Sequence, residues 1–317
     1  MPKILHVDRI SLEQKELFQE LLPPGYELIF RGSEEEDRRF EEELPSTLYL
    51  TVNTAPVPAE LMARAKSLRF IQKLGAGYDN IDVEYATQRG IQVARTPGAN
   101  SISVAELVFG LALSLYRKLP QVNAQTRSGK WNPWEYRTVS YELFGKRLGL
   151  IGLGNIGQEV AKRALAFDME VVYYKRHLLP AEKTPGVTAV SMSELLATAD
   201  IISIHIPLTP ETRGLIGRDE FNAMKESAIL INTSRGGIVD EEALLVALRE
   251  RQIAGAALDV CVAPPLATDH PLFAFGNFIL TPHVGAATRD ADTRVLKMAY
   301  ENIERIERGE QPHNLVN

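Results

Sequence analysis

Short apolar runs alternate with helix-period segments along the first hundred residues. The segment LEQKELFQELL has the spacing of an amphipathic helix, and the runs around it have the length of buried strands: KILHV, LYLTVN, LRFIQKL and IQVAR. Alternation of this kind is typical of a parallel sheet with helices on both faces. We therefore predict an α/β unit in this part of the chain.

The alternation is more regular from Lys146 onward. Helical segments such as EVAKRALAF and EEALLVALRER lie among six further apolar runs, which are RLGLIGL, EVVYY, IISIHIPL, AILINTS, GAALDV and FILTP. A sheet of about six strands is enough for a complete dinucleotide-binding fold. Because 317 residues are also many for a single core, we expect two domains.

The stretch that joins the two units has a different character. Ser101 to Leu119 predicts one long helix, with Ser101 or Ser103 as its cap. Residues 121–142 are polar and aromatic without a clear period, and they include Trp131 and Trp134. This segment is either an arm that buries its aromatic side chains in a partner subunit or a loop folded back on its own domain.

Composition and charge exclude several classes of protein. The formal net charge of −6 disfavours nucleic acid as a partner, because phosphate binding needs a basic face. A single cysteine, Cys261, permits no intrachain disulfide and fits a reducing cytoplasm. The first residues lack a signal-peptide pattern, and the most apolar helical run, Leu107 to Tyr116, is too short for a bilayer. We expect a cytoplasmic protein with no membrane partner.

Three glycines follow the first strand of the second unit and open the next helix. Gly152, Gly154 and Gly157 form the pattern G-x-G-x-x-G. The first glycine permits a tight turn, the second lets the backbone approach a pyrophosphate, and the third lets helix and strand pack closely. Free N–H groups at the helix N-terminus face the anion. The residues predicted to hold the pyrophosphate are Gly152, Gly154, Asn155, Ile156 and Gly157.

The end of the next strand selects between the two nicotinamide dinucleotides. An acidic residue there would bind the ribose 2′-hydroxyl of NAD. Here the strand ends in Lys175, Arg176 and His177, which suit a 2′-phosphate. The sequence favours NADP and leaves NAD possible, and the alternative is a basic surface cluster with dual specificity.

Polar side chains with catalytic potential follow three later strands. Arg235 follows AILINTS, Asp259 ends GAALDV, and His283 follows FIL. Loops at the carboxyl ends of parallel strands surround the ligand crevice of such a sheet. An arginine there can bind a carboxylate with two parallel hydrogen bonds, and a histidine can exchange a proton as a hydride moves. No metal site is predicted.

Motifs spread over nearly the whole chain resemble one family. They occur in the expected order: KLGAGYDNID, TPGANSISVAEL, GLIGLGNIG, HIPLTPETRGLI, INTSRGGIVDEEAL and ILTPHVGAAT. Together they resemble the D-isomer-specific 2-hydroxyacid dehydrogenases. This family includes glyoxylate and hydroxypyruvate reductases, phosphoglycerate dehydrogenases and formate dehydrogenases.

The resemblance implies roles for individual residues. Arg235 would bind the carboxylate and carbonyl of a 2-oxo acid, and His283 would be the general acid for reduction and the base for oxidation. The backbone of Leu74, Gly75, Ala76 and Gly77 would hold the substrate carboxylate. The cofactor would be lined by His205, Pro207, Thr212, Thr233, Arg235, Asp259, His283, Gly285 and Ala286.

The resemblance also implies an architecture. A Rossmann cofactor domain, residues 100–287, would be inserted into a flavodoxin-like substrate domain formed by residues 1–99 and 288–317. Both domains would be doubly wound parallel sheets, with hinges near residues 99 and 288. A homodimer would form through the cofactor domains.

One position departs from the family's pattern. The family has a glutamate that pairs with the catalytic histidine, and Pro264 stands where it is expected. Proline has neither a carboxylate nor an N–H group, and a carboxylate would raise the pKa of the histidine and fix its tautomer. Three interpretations stay open: slower catalysis, a substitute carboxylate such as Asp269, or a role that needs no protonated histidine.

The sequence thus supports two main functional hypotheses. The first is a reductase of small 2-oxo acids such as glyoxylate or hydroxypyruvate, favoured by Arg235 and His283. The second is a dinucleotide-binding module with little turnover that senses redox state or acts like a corepressor, favoured by Pro264. Phosphoglycerate oxidation is a weaker third hypothesis, because no contacts for the substrate phosphate can be identified.

Overall fold

The chain folds into two compact units. A computed structural model describes residues 1–177, 180 and 185–317. The first unit comprises residues 1–100 and 288–317, and the second comprises residues 101–287. Each unit is built around one parallel sheet.

The sheet of the first unit has five parallel strands in the order β2-β1-β3-β4-β5. This is the strand order of flavodoxin-like folds, in which ligands bind outside the carboxyl ends of the strands. The sequence did not predict β2, whose segment ELIFR has three apolar residues between two charged ones. The strands are β1 (Lys3–Arg9), β2 (Glu27–Arg31), β3 (Tyr49–Val52), β4 (Phe70–Lys73) and β5 (Gln92–Ala94).

Helices flank this sheet, and local capping explains where three of them begin. Ser11 and Ser33 each accept a backbone N–H and form capping boxes with Gln14 and Glu36, and Asp82 caps another helix. Acidic residues in the first turn complement the helix dipole. The helices are α1 (Leu12–Glu20), α2 (Glu34–Glu43), α3 (Ala59–Arg64) and α4 (Val83–Gln88).

The second unit holds seven parallel strands in the order β12-β11-β10-β9-β6-β7-β8. The predicted fold class, two doubly wound parallel sheets with a Rossmann-type second sheet, is confirmed. The sequence predicted about six strands and missed β8, whose three residues leave two side chains exposed. The strands are β6 (Arg147–Ile151), β7 (Glu170–Tyr174), β8 (Val187–Ala189), β9 (Ile201–Ile204), β10 (Ile229–Asn232), β11 (Gly255–Leu258) and β12 (Phe278–Leu280).

The helices of the second unit correct one prediction. The long helix expected from Ser101 to Leu119 ends at Tyr116, because Lys118 adopts a left-handed conformation with φ of 52°. A second helix then covers part of the segment expected to be irregular. The helices are α5 (Ser101–Tyr116), α6 (Leu119–Arg127), α7 (Asn155–Ala166), α8 (Met192–Thr198), α9 (Arg218–Ala223) and α10 (Glu241–Arg249).

The aromatic segment after α6 stays largely exposed. Trp131 is 84% and Trp134 is 69% exposed, and Phe144 is also exposed. The segment therefore does not bury its tryptophans in its own chain, contrary to the interpretation of a folded-back loop.

A C-terminal helix, α11 (Arg289–Glu307), completes the first unit. Its apolar face joins one core of that unit through Leu296, Ala299 and Ile303. The tail beyond it then runs along the outer edge of β5, where the N–H of Val316 donates to the carbonyl of Val93 at 2.7 Å. The last strand of this sheet is thus covered at its edge.

In the part of the chain that the structure describes, no helix is long and apolar enough to cross a membrane. The same residues contain no group of three or more His, Cys, Asp or Glu side chains that could hold a metal ion.

Candidate active site

The crevice of the second unit lies where the strand order reverses, between β6 and β9. Gly152 follows β6 and packs against the segment after β9, since a Cβ there would lie 2.5 Å from the His205 carbonyl oxygen. The N–H of His205 donates to Ile151, and the N–H of Gly152 donates to Tyr174. Three strand ends therefore meet at this glycine.

The helix that starts here suits an anion. Gly157 packs on the Gly152 carbonyl, since a Cβ on Gly157 would lie 2.5 Å from that oxygen. At Gly154 a Cβ would meet no heavy atom of the described chain within 4 Å, so the space above this glycine is open. The start of α7 carries no side-chain cap. The N–H groups of its first turn are therefore available to an anion that approaches over Gly154.

Two buried polar atoms beside this crevice have no hydrogen-bond partner among the residues that the structure describes. They are Nδ1 of His205, which follows β9, and Oγ1 of Thr233, which follows β10. Desolvation lowers the pKa of His205 to about 3, so its ring is neutral at physiological pH, and its Nε2 lies 2.9 Å from the Ser203 hydroxyl. Unpaired buried polar atoms are costly, and a polar dinucleotide would satisfy them. The residues present thus fit this cofactor.

Thr212 shapes the turn after β9. Its buried hydroxyl donates to the Pro207 carbonyl at 2.7 Å and accepts the Thr209 N–H at 2.7 Å. Thr212, which was predicted to line the cofactor, therefore also has a structural role, because its hydroxyl fixes the backbone of this turn.

The basic residues after β7 are placed beside the glycine turn. Lys175 is half-buried and directly follows Tyr174, whose carbonyl accepts the Gly152 N–H. Arg176 is exposed. A hydrogen bond from Thr209, with a contribution from Arg176, lowers the pKa of Glu211. Lys175 thus lies next to the glycine turn at the end of β7.

The loop that carries Arg235 is fixed by its neighbours. Asn232 is fully buried, donates to the Arg235 carbonyl at 2.8 Å and accepts the Ser234 N–H at 2.9 Å. The Ser234 hydroxyl donates to the Ile204 carbonyl at 2.6 Å, which joins this loop to β9. Arg235 itself is partly exposed. Sequence reasoning missed Asn232 and Ser234 as anchors, although both stand in the INTSRGG motif.

The loop that carries His283 is organised by Asp259. Asp259 is buried, with 1% of its surface exposed. Its carboxylate accepts hydrogen bonds from the Thr281 hydroxyl and from the N–H groups of Val284 and Gly285 at 2.6–2.8 Å. The Asp259 carbonyl accepts the His283 N–H at 2.9 Å. Asp259 was predicted to line the cofactor. In the structure its side chain holds the loop at residues 281–285, in which His283 has φ of 55° and is exposed.

Gly285 and Ala286 complete this loop. Gly285 is buried, and a Cβ on it would lie 2.9 Å from Oδ2 of Asp259. Ala286 is partly exposed.

Pro264 lies in an exposed stretch of the loop after β11. The same loop packs on the Arg235 loop, since a Cβ on Gly236 would lie 2.2 Å from the carbonyl carbon of Cys261. Glu241 accepts the Val262 N–H at 2.7 Å. Glu241 is a further anchor that sequence reasoning missed, although the DEEAL run offered a signal. Asp269, the substitute carboxylate considered from sequence, is exposed.

In the first unit, Leu74, Gly75, Ala76 and Gly77 form the loop after β4. Gly75 has φ of 151°, and its carbonyl accepts the Thr96 N–H at 2.9 Å. The hydrogen bonds found within the described first unit do not use the N–H groups of Gly75, Ala76 or Gly77. These three amides can therefore bind an anionic group.

Comparisons with known proteins agree with this geometry. Residues 109–285 match the model of the D-isomer specific 2-hydroxyacid dehydrogenase NAD binding domain. The chain belongs to the D-isomer-specific 2-hydroxyacid dehydrogenase family. The predicted family and enzyme class, an oxidoreductase acting on CH–OH donors, are thereby confirmed.

Individual relatives of this dehydrogenase family are similar over most of their length. A glyoxylate reductase of Aeropyrum pernix is 42% identical over 310 residues, which are 95% of this chain and 89% of that protein. The TT0316 protein of Thermus thermophilus superposes with a TM-score of 0.88 at 38% identity, covering 99% and 100% of the two chains. An acyclic imino acid reductase, Bsp5, in complex with NADPH and D-Arg superposes with a TM-score of 0.83 at 29% identity, covering 99% and 100%.

The two glycines of the turn give contrasting predictions. We expect Gly152→Ala to destabilise the protein by about 2 kcal/mol or more, because the methyl would meet the His205 carbonyl at a φ of 99°. We expect Gly154→Ala to keep its melting temperature and to bind NAD(P)H at least about tenfold more weakly, a loss of ~1.4 kcal/mol. Thermal unfolding and fluorescence titration measure both. Unchanged cofactor affinity in Gly154→Ala would contradict an approach of the pyrophosphate over this residue.

Proposed function

We propose that the protein is an NAD(P)H-dependent reductase of small 2-oxo acids such as glyoxylate or hydroxypyruvate. The observation that carries this proposal is the placement of Arg235 and His283. Each follows the end of its strand, β10 or β12, by three residues. Both therefore belong to the carboxyl edge of the sheet that also carries the glycine turn. The similarity to a glyoxylate reductase supports the substrate class.

The proposed chemistry follows from the two side chains. A bound reduced nicotinamide supplies the hydride. Arg235 binds the substrate carboxylate with paired charge-assisted hydrogen bonds and polarises the carbonyl. His283 donates a proton to the carbonyl oxygen as negative charge develops there, and accepts it back in the reverse direction. For the first unit we propose a substrate-binding role, carried by the N–H groups of Gly75, Ala76 and Gly77.

The alternative, a dinucleotide-binding module with little turnover, is not favoured by the relatives. Its support is Pro264 alone, because Arg235, His283 and the anchors of their loops are all present. We also propose a cytoplasmic homodimer, in which the exposed aromatic segment around Trp131 and Trp134 contacts the partner.

A panel of 2-oxo acids tests the proposed function. We expect turnover of glyoxylate or hydroxypyruvate with NADPH or NADH, followed by the absorbance of the reduced nicotinamide. Arg235→Leu should abolish turnover. Cofactor binding, measured by fluorescence, should weaken far less, because Arg235 is one of many residues predicted to line the cofactor. Absence of turnover with every acid, in a protein that binds the cofactor, would support the binding module instead.

We further propose that NADP is the preferred cofactor. Lys175 and Arg176 follow β7 where an acidic residue would select NAD, and a neighbouring structure contains NADPH. The Lys175→Ala/Arg176→Ala variant should lower kcat/KM for NADPH by roughly tenfold or more, as expected for lost hydrogen bonds to a charged phosphate. The value for NADH should stay unchanged.

Lys162→Ala is the matched control for that variant, since Lys162 is an exposed cation on α7. It should leave both values unaltered. An equal loss with the two cofactors in the double variant would remove the role proposed for these residues.

Pro264→Glu should raise the rate of 2-oxo acid reduction. A carboxylate at this position would stabilise the protonated form of His283, and general acid catalysis is typically worth about 10²–10⁴-fold. We expect roughly a tenfold gain in kcat, with the pH optimum moved upward. Steady-state rates across pH measure this, with Ala263→Glu as the control for added charge in the same exposed loop. A rate equal to or below that of the native protein would refute the prediction.

A further inference from the structure

A buried carboxylate organises the loop after β3 in the first unit. Asp8 lies near the end of β1 and is 6% exposed. Its carboxylate accepts three consecutive backbone N–H groups, from Asn53, Thr54 and Ala55, and the Thr54 hydroxyl as well. The bonds from Thr54 and Ala55 measure 2.6 and 2.7 Å between nitrogen and oxygen. One side chain thus fixes the whole turn.

The surroundings keep Asp8 charged and oriented. Burial disfavours the carboxylate, but the N–H groups of Asn53, Thr54 and Ala55 stabilise it, and the pKa of Asp8 is lowered. His6 is itself fully buried, and desolvation lowers its pKa to about 4. Its Nδ1 lies 3.0 Å from the Thr51 hydroxyl and its Nε2 lies 3.8 Å from Oδ2 of Asp8.

The turn that Asp8 fixes holds both ends of the next loop. At one end, the Leu74 N–H donates to the Val52 carbonyl at 2.8 Å, and the Lys73 ammonium donates to the Asn53 carbonyl. At the other end, the Asn80 amide donates to the carbonyls of Ala55 and Asn53 at 2.6 and 3.3 Å. The residues between these ends include the amides of Gly75, Ala76 and Gly77.

We infer that Asp8 is a positioning residue for substrate binding, which sets the loop at residues 74–80 through the turn at residues 53–55. Its effect on the substrate is indirect. The Asp8 carboxylate contacts the turn at residues 53–55, and that turn contacts the loop at residues 74–80. The inference rests on the proposed function for its link to a 2-oxo acid. The mechanical link between Asp8 and the loop stands on the contacts alone.

The Asp8→Asn variant tests the link. The amide matches the carboxylate in shape but has one acceptor oxygen and no charge. It can keep the bonds that Thr54 and Ala55 make to Oδ1, but the Asn53 N–H loses its acceptor at Oδ2 and all three bonds lose the charge that strengthens them. We expect KM for the 2-oxo acid to rise roughly tenfold, as for lost hydrogen bonds to a charge, while kcat stays within about twofold and cofactor affinity is unchanged. A general loss of structure would lower kcat and cofactor affinity too.

Hydrogen exchange of the full-length apoprotein supplies a readout that needs no turnover. In Asp8→Asn, peptides that cover residues 74–80 should exchange faster, whereas peptides from α10 should not change. Ser33→Ala is the matched control, because it removes a helix cap in the same unit without touching the turn. Should Asp8→Asn fail to fold, Asn80→Ala breaks the next link and should give the same exchange pattern and the same rise in KM.

Two outcomes would overturn the inference. One is unchanged exchange at residues 74–80 in folded Asp8→Asn, and the other is a KM that stays at the native value while exchange increases. If the native protein reduces no 2-oxo acid, the proposed function fails. The exchange experiment still decides whether Asp8 controls the loop.

Discussion

The close approach of Gly152 to the His205 carbonyl is the constraint on which the second unit depends. The strand order reverses between β6 and β9, so the segments after these strands diverge and leave a crevice. A residue with a side chain would push them apart. Because this contact joins two backbone segments, it fixes their separation. The start of α7, the buried Thr233 hydroxyl and the loops of Arg235 and His283 are arranged around it.

Around this contact, buried and partly buried polar side chains form hydrogen bonds that hold the loops in place. Asn232 and Ser234 hold the Arg235 loop, Glu241 holds the loop after β11, and Asp259 holds the His283 loop. Asp8 does the same in the other unit. Asn232, Asp259 and Asp8 each bond two or more backbone groups at once, which an apolar residue could not do. The partly exposed Arg235 and the exposed His283 therefore stand on loops whose backbones are held by these hydrogen bonds.

Much of this arrangement could be predicted from the sequence, since it depends on local patterns. Apolar runs with helices between them predicted the two parallel sheets, and the glycine turn and Arg235 lie within recognisable motifs. Strand β8 escaped because three residues with two exposed side chains have no apolar period. The roles of Asp8 and Asp259 escaped for a different reason. Their hydrogen-bond partners lie more than twenty residues away in the chain. A local sequence pattern cannot indicate a contact between residues so far apart in the sequence.

The antiparallel contact between the C-terminal tail and β5 has a practical consequence. The Val316 N–H and the Asn317 side chain pair with backbone groups of Val93. Removing Val316 and Asn317 for crystallisation would leave the edge of β5 unpaired. Unpaired edge strands can form hydrogen bonds with strands of other molecules. Material shortened in this way would be prone to self-association during concentration, so a purification handle is better placed at the amino terminus.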